Sequence, residues 1–281
     1  MRPAKAPPKI FDEDLLVLRR RRAAKREGSF LLDRCVADAT ERLLDINRNF
    51  EKVLMLGPKT MAHNLISRLP SEKIGKFTIC ETLEELPQAS DFDLVLSLLR
   101  LQSTNDLPGS LIQLSQKLKA DGLFIAAIFG GDSLAELRQV FYAVDEHLLG
   151  GLSAHIYPMA NYTQAAGLLS RAGLNQPVVD TDRFTVCYSR FDTLISDLRD
   201  LGETNVLIER RKTPFSRRYK SDLETSYKQL FSREDGKLNC SYEILWMTGW
   251  KPHESQQKPL KPGSATMPLE KGIKDAAKTR K

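Results

Sequence analysis

The chain has 281 residues, 41% of them hydrophobic and 28% charged, with a formal net charge of +6. That composition is ordinary for a globular protein, and the longest apolar run, Leu123 to Phe129, is far too short to cross a bilayer. Residues 251–281 hold eight lysines and arginines against three carboxylates, so the first 250 residues are close to neutral and nucleic-acid binding is the lesser expectation. Two local basic runs remain, Arg19 to Arg22 with Lys25 and Arg26, and Arg210 to Lys212 with Arg217, Arg218 and Lys220. Each reads as a solvated helix face or as a surface for an acidic partner or anionic membrane. Met1 to Ile10 has no apolar core and no cleavage-like site, which argues against a secretory signal. The four cysteines lie far apart without a Cys-x-x-Cys pair, so neither a zinc site nor a disulfide framework is expected.

Asp12 to Arg26 and Phe30 to Asn47 read as helices, the second with Leu31, Cys35, Val36, Ala39, Leu43 and Ile46 at helical spacing. Short apolar runs and helices then alternate. Strands are predicted at Val53 to Leu56, Phe77 to Cys80, Phe92 to Leu99 and Leu123 to Phe129, with helices at Thr60 to Leu69 and Ser110 to Leu118. Such alternation means βαβ units and a mostly parallel sheet. Only ten residues, Thr82 to Asp91, separate the second strand from the third, room for one short connection but not for a further strand with its own helix. Asp132 to Leu148 is a predicted helix with Asp132 or Ser133 as N-cap and Glu136 in its first turn. Asn161 to Ala172, Phe191 to Leu201 and Pro214 to Phe231 follow as helices, Val178 to Tyr188 and Asn239 to Gly249 as strands. The Asp235-Gly236 turn makes the last strand an antiparallel addition. The expected organisation is a helical arm over 1–50, an α/β domain over 51–250 and a basic, mostly disordered tail over 251–281.

Val53 to Thr60 has the frame of a nucleotide-binding turn: an apolar strand, a tight turn and an immediate helix. Such turns use glycines so that backbone can approach the ligand, and here Gly57 is followed by Pro58 and Lys59. Gly57 reads either as a cofactor glycine or as a plain turn residue, and a Lys59 side chain would intrude where backbone should approach. Asp132 and Glu136, one helical turn apart, suit a shared cation or an acid–base pair, or more simply the N-terminus of a helix. His155 and His253 are candidates for the rim of an active site. No metal-ligand spacing and no nucleophile elbow occurs. Trp246 and Trp250 read as packing residues.

A run of motifs carries a resemblance. They include Phe129 to Arg138, Gly150-Gly151, Ser153-Ala154-His155, Leu169 to Gly173, Val179 to Asp182, Gly202-Glu203, Asn205, Thr248-Gly249-Trp250, Lys251 to Gln256 and Pro262 to Ala265. With Phe11-Asp12 at its start, the chain resembles the SAM-methyltransferase-fold group that includes a mitochondrial complex I assembly factor acting as an arginine hydroxylase. Bacterial relatives of that group are described as methyltransferases, and the malonyl-carrier methyltransferase of biotin synthesis is a more distant cousin. The resemblance implies a class I SAM-binding, Rossmann-like α/β fold with S-adenosyl-L-methionine as cofactor. It implies Leu56, Gly57, Pro58, Glu81 and Leu98 as cofactor-binding positions, Glu81 accepting from ribose hydroxyls or standing as a plain strand-end carboxylate. Met55 and Lys59 stand where the family has an acidic residue and a second glycine, and Gln102-Ser103 where it has His-Trp ahead of Asn105 to Pro108. The short segment after Glu81 leaves no room for the strand that contacts adenine.

Two classes of function follow. In one, the chain modifies a protein side chain by methyl transfer or arginine hydroxylation, with Asp132, Glu136 and His155 as candidate catalytic groups. In the other, which the eroded cofactor positions favour, it binds a protein client and catalyses nothing. The resemblance implies a subunit of respiratory complex I as client. It places the chain in a bacterial cytoplasm beside the inner membrane, with peripheral membrane association, or alternatively in the mitochondrial matrix.

Overall fold

The computed structural model describes residues 8–26, 28–257, 267, 268 and 271. Most of the predicted tail, with Pro262 to Ala265, lies outside the described residues. Six strands form one mixed sheet in the order β2-β1-β3-β4-β6-β5. β1 (Phe50–Leu56), β2 (Ile74–Cys80), β3 (Phe92–Leu98) and β4 (Leu118–Phe129) are parallel neighbours. β6 (Leu238–Trp250) runs antiparallel to both β4 and β5 (Asn175–Tyr188), so the expected antiparallel strand lies inside the sheet rather than on its edge. This is a Rossmann-like α/β fold, a mostly parallel sheet with helices on both faces.

Period-two burial builds a three-layer core. Val53 and Met55 of β1 face one apolar cluster and Leu54 and Leu56 the other; in β4, Leu123, Ile125, Ala127 and Phe129 alternate with Phe124, Ala126 and Ile128 in the same way. The first face is covered by α2 (Phe30–Asp45), α3 (Lys59–Ser67), α5 (Ala135–Leu149), α7 (Phe191–Leu201) and α8 (Arg217–Phe231), the second by α4 (Leu107–Gln116) and α6 (Tyr162–Arg171). α2 contributes Leu31, Cys35, Val36, Ala39 and Leu43 to the core of the sheet itself. α1 (Glu13–Ala23) stands apart: Phe11 and Leu16 join Tyr157, Val206 and Leu207 in a separate small cluster.

Between β2 and β3 there is a single 3₁₀ turn, Leu83–Glu85, and the sheet ends at β2. The ten-residue spacing predicted as much. β2 and β4 begin earlier than their apolar runs do, because Ile74 and Lys76 pair with β1 and Leu118 pairs with Phe92 ahead of a register shift, although these segments are not uniformly buried. α5 begins three residues late. Leu134, with φ of +58°, precedes its first residue, and the turn is tied to β6: Leu134 N–H donates to Ser241 O at 2.8 Å and Ser133 Oγ to Glu243 O at 2.8 Å. Neither Asp132 nor Ser133 caps the helix, since tertiary bonds to β6 take up the groups that a cap would have used.

Candidate functional site

The carboxyl ends of β1, β2 and β3 converge beneath α1 and α2 on a cavity of about 790 Å³. It lies where strand order reverses between β1 and β3, the usual ligand crevice of open α/β sheets. Of the five positions expected to bind cofactor, Pro58 and Glu81 line this cavity. Leu56, Gly57 and Leu98 are buried behind it, with Gly57 N–H donating to Cys80 O at 2.8 Å. Met55, where the resemblance leads one to expect an acid, is fully buried in the apolar core. A Cβ on Gly57 would stand 3.5 Å from Met61 Sδ, ordinary contact, and the residue is not in the left-handed region, so the turn does not demand glycine. Lys59 is exposed at the first position of α3 and does not line the cavity, so its side chain does not intrude as expected.

What intrudes instead is arginine. Arg20 reaches in from α1 and donates from Nη2 to Glu203 Oε1 (2.6 Å), Arg100 O (3.1 Å) and Ser103 Oγ (2.9 Å), with Nε to Glu203 at 3.0 Å. The Glu203 side chain is 2% exposed, making this a buried pair. Arg100, immediately past β3, lines the same cavity and is itself buried. Gln102 Nε2 closes the loop beneath it by donating to Leu99 O at 2.9 Å. Neither arginine was singled out from sequence for this role, although Arg100 is the one charge in the run Leu98 to Leu101.

The remaining Asn105 to Pro108 motif has a structural task. Asn105 Oδ1 accepts from Ile10 N–H and Phe11 N–H, both at 2.8 Å, and its Nδ2 donates to Phe11 O, fixing the segment that leads into α1. Asp106 caps α4 by accepting from Gly109 N–H at 2.9 Å. Phe11 packs edge-on against Tyr157 at 5.1 Å, and Tyr157 O–H donates to Thr204 O at 2.7 Å.

A second cleft, of about 780 Å³, opens on the other side of α1. His155 lies in its wall with a side chain only 5% exposed, stacked on Phe141 at 4.1 Å. Its Nε2 lies 2.9 Å from Asp145 Oδ2, an oxygen that also accepts from Ser153 N–H at 2.8 Å; Tyr219 O–H donates to Asp145 Oδ1 at 2.5 Å. Burial and the neighbouring carboxylate push the Tyr219 phenol well above its ordinary range. The rim is basic: Arg19, Arg22, Arg26, Arg199, Arg210, Arg211 and Lys212 face one carboxylate, Glu203.

Asp132 and Glu136 are not brought together with His155 or with each other. Asp132 is largely exposed and pairs with Arg183 at 3.0 Å, whereas Glu136 accepts from Ser241 N–H (2.9 Å) and Ser241 Oγ (2.5 Å), pinning α5 to β6. His253 is exposed and bonds only Ser255 close by. Among the described residues no three His, Cys, Asp or Glu side chains gather as a metal site. Several resemblance-bearing residues are accounted for by packing. A Cβ on Gly130 would meet Glu243 Oε2 at 2.4 Å, and one on Gly249 would meet Leu174 Cβ at 2.9 Å. Asn205 holds the second cleft's loop by donating to Ala154 O at 2.7 Å. Trp246 is buried, as a packing residue should be, with the Arg42 guanidinium 4.6 Å from its ring.

No protein-family model matches the chain. The human protein "Arginine-hydroxylase NDUFAF5, mitochondrial" is 36% identical over 285 residues, covering 92% of this chain and 81% of its own length. A malonyl-[acyl-carrier protein] O-methyltransferase of Gallionella capsiferriformans is 33% identical over 175 residues, 62% of this chain and 58% of that protein. Among solved structures, 1,6-didemethyltoxoflavin-N1-methyltransferase of Burkholderia thailandensis, holding S-adenosylhomocysteine, aligns with a TM-score of 0.43 and 17% identity over 89% of this chain and 94% of that one. With that identity to the human protein across nearly its whole described length, the chain belongs to the arginine-hydroxylase NDUFAF5 family.

Proposed function

We propose that this chain is a methyltransferase-like member of that family which has given up efficient SAM binding and holds a protein client, a subunit of respiratory complex I, without modifying it. One observation carries the reading: the cavity holds two guanidinium groups, Arg20, paired with Glu203, and Arg100, whose charge has no hydrogen-bonded partner among the described residues. SAM carries a sulfonium cation. Placed about 4 Å from a like charge at an effective dielectric of about 20, it would meet a repulsion of about 4 kcal/mol. Loss of the acid at Met55 and absence of an adenine-side strand beyond β2 act in the same direction. The second cleft supports a client over an arginine substrate, because a substrate guanidinium would enter a rim of seven cations and one carboxylate.

The chain's surroundings, whether a bacterial cytoplasm beside the inner membrane or the mitochondrial matrix, belong to the same proposal. No described helix is long and apolar enough to cross a membrane, and the basic rim suits peripheral contact with an anionic surface.

One feature favours the alternative of an active SAM-dependent methyltransferase or arginine hydroxylase: Glu81 still presents its carboxylate to the cavity at the end of β2, where a ribose would be held. Calorimetric titration with SAM and S-adenosylhomocysteine decides between them. The proposal expects no SAM binding below millimolar concentration, and any residual affinity to favour S-adenosylhomocysteine, which lacks the sulfonium charge. Micromolar SAM binding that Glu81→Ala weakens would establish the alternative.

A further inference from the structure

We propose that the cavity beneath α1 is a binding site for a small ligand bearing a carboxylate or phosphate group, received by the Arg100 guanidinium. Among the described lysines and arginines only two are buried, Lys73 and Arg100. Lys73 Nζ donates to Ile46 O. Arg100, 9% exposed, makes no side-chain hydrogen bond and no ion pair with any described residue, and its Nε is buried without a partner. Buried charges in folded proteins are paired, because removing one from water without compensation is strongly unfavourable. Arg100 remains charged at neutral pH. Burial and the adjacent Arg20 lower its pKa to about 9, opposed by Glu203 and Glu81, so the guanidinium stays mostly protonated.

The backbone is arranged to deliver this group. Leu99, fully buried, has a φ of +51°, a left-handed conformation that a branched side chain rarely adopts. It turns the chain out of β3 so that Arg100 lines the cavity instead of continuing the strand. Strain of this kind persists where the surrounding fold imposes it, and it concentrates at ligand sites. Arg20, held by Glu203, keeps a second cation at the mouth. The planar fork of a guanidinium matches carboxylate and phosphate oxygens in a bidentate manner, and about 790 Å³ is the size of a small-molecule site. An unpaired buried cation, a strained residue presenting it and a cavity of suitable size thus coincide.

The inference rests on the reading that SAM is not the occupant of this cavity, and its test separates the two. The full chain is melted in inorganic phosphate, in malonate and in sodium chloride at matched ionic strength, for wild type, Arg100→Met, Arg100→Lys and the surface variant Arg171→Gln, which lies outside both clefts. Phosphate or malonate is expected to raise the melting temperature saturably where chloride does not, and the better of the two identifies the headgroup. Arg100→Met should weaken the apparent affinity at least tenfold, Arg100→Lys should weaken it less, and Arg171→Gln should leave it unchanged. Without added anion, Arg100→Met should melt above wild type, since it removes an uncompensated buried charge. The inference is overturned if neither anion outperforms chloride, if Arg100→Met binds as wild type does, or if Arg100→Met melts lower, which would show the guanidinium to be paired within the fold. A parallel SAM titration reports on the other reading: absence of SAM binding together with absence of an anion response removes this inference alone.

Discussion

Asp145→Ala should be among the most destabilising single changes outside the sheet. The carboxylate is fully buried and accepts three hydrogen bonds, from Ser153 N–H, His155 Nε2 and Tyr219 O–H, drawn from the 150–161 loop and from α8. Its removal strands three buried donors at about 1–3 kcal/mol each. Partial relaxation brings the expected loss to roughly 3–6 kcal/mol, a large share of the 5–15 kcal/mol that typically holds a domain together. At about 2–4 °C per kcal/mol for a chain of this size class, the melting temperature should fall by roughly 10 °C or more. Urea unfolding monitored by circular dichroism measures the free energy directly. Asp145→Asn, which keeps the shape but opposes one donor with an amide, should cost roughly 1–3 kcal/mol. Tyr219→Phe, which removes a single donor, should cost a similar amount. A double-mutant cycle between Asp145→Ala and Tyr219→Phe should show coupling of at least about 1 kcal/mol. If Asp145→Ala lies within about 1 kcal/mol of wild type, the cluster is not the anchor of the second cleft, and its buried geometry has been misread.

Other expectations are independent of that cluster. Gly130→Ala should destabilise by about 1–3 kcal/mol, because its Cβ would strike Glu243 Oε2 at 2.4 Å, while Gly57→Ala, with 3.5 Å to Met61 Sδ, should be nearly neutral in the same denaturation assay. Glu203→Ala leaves Arg20 half-buried without its carboxylate and should cost about 3–5 kcal/mol, with faster proteolysis of the segment around α1; a stable, protease-resistant variant would refute the clamp. Asp93 predicts an acid limb to stability. Its burial opposes ionisation, but Lys119 and the backbone N–H groups of Lys52 and Glu51 outweigh this and hold the carboxyl below its ordinary range. The folded pKa therefore lies below the unfolded one, so the contribution is present above about pH 4 and is lost as pH falls through the folded value. Asp93→Asn should flatten the fall in melting temperature in that window, and an unchanged acid limb would remove Asp93 from the account.

The sheet could be read from the chain because its signals are local. Runs such as Val53 to Leu56 and Leu123 to Phe129 state their strands outright, and the ten residues after Glu81 already exclude a further strand. The helix beginning at Ala135 shows where such reading ends. Asp132 and Ser133 have the composition of a cap, but bonds to Ser241 and Glu243, more than a hundred residues away, set the start of the helix instead. The Asp145, His155 and Tyr219 cluster was invisible for the same reason: its members share no motif and meet only when α8 packs on α5. Lys59, conspicuous in sequence, stands in solvent, whereas Arg100, set between Leu99 and Leu101, forms the cavity wall. Spacing locates the turn beside the cavity, but the charge in its wall depends on backbone torsion at Leu99, which no residue type announces.

The insertion of β6 between β4 and β5 has a kinetic consequence. Leu123 is registered against Trp250 and Tyr188 against Leu238, so both outer halves of the sheet wait for one late segment before their ladders close. Until then β4 and β5 each carry an open hydrogen-bonding edge beside apolar side chains, the arrangement most prone to pairing with another chain. Such non-local closure predicts slow folding, with a transient intermediate that already holds β1 to β4 and is vulnerable to aggregation. For the same reason a stop codon between Leu201 and Leu238 should produce insoluble chains, even though it would keep every residue that lines the Arg100 cavity.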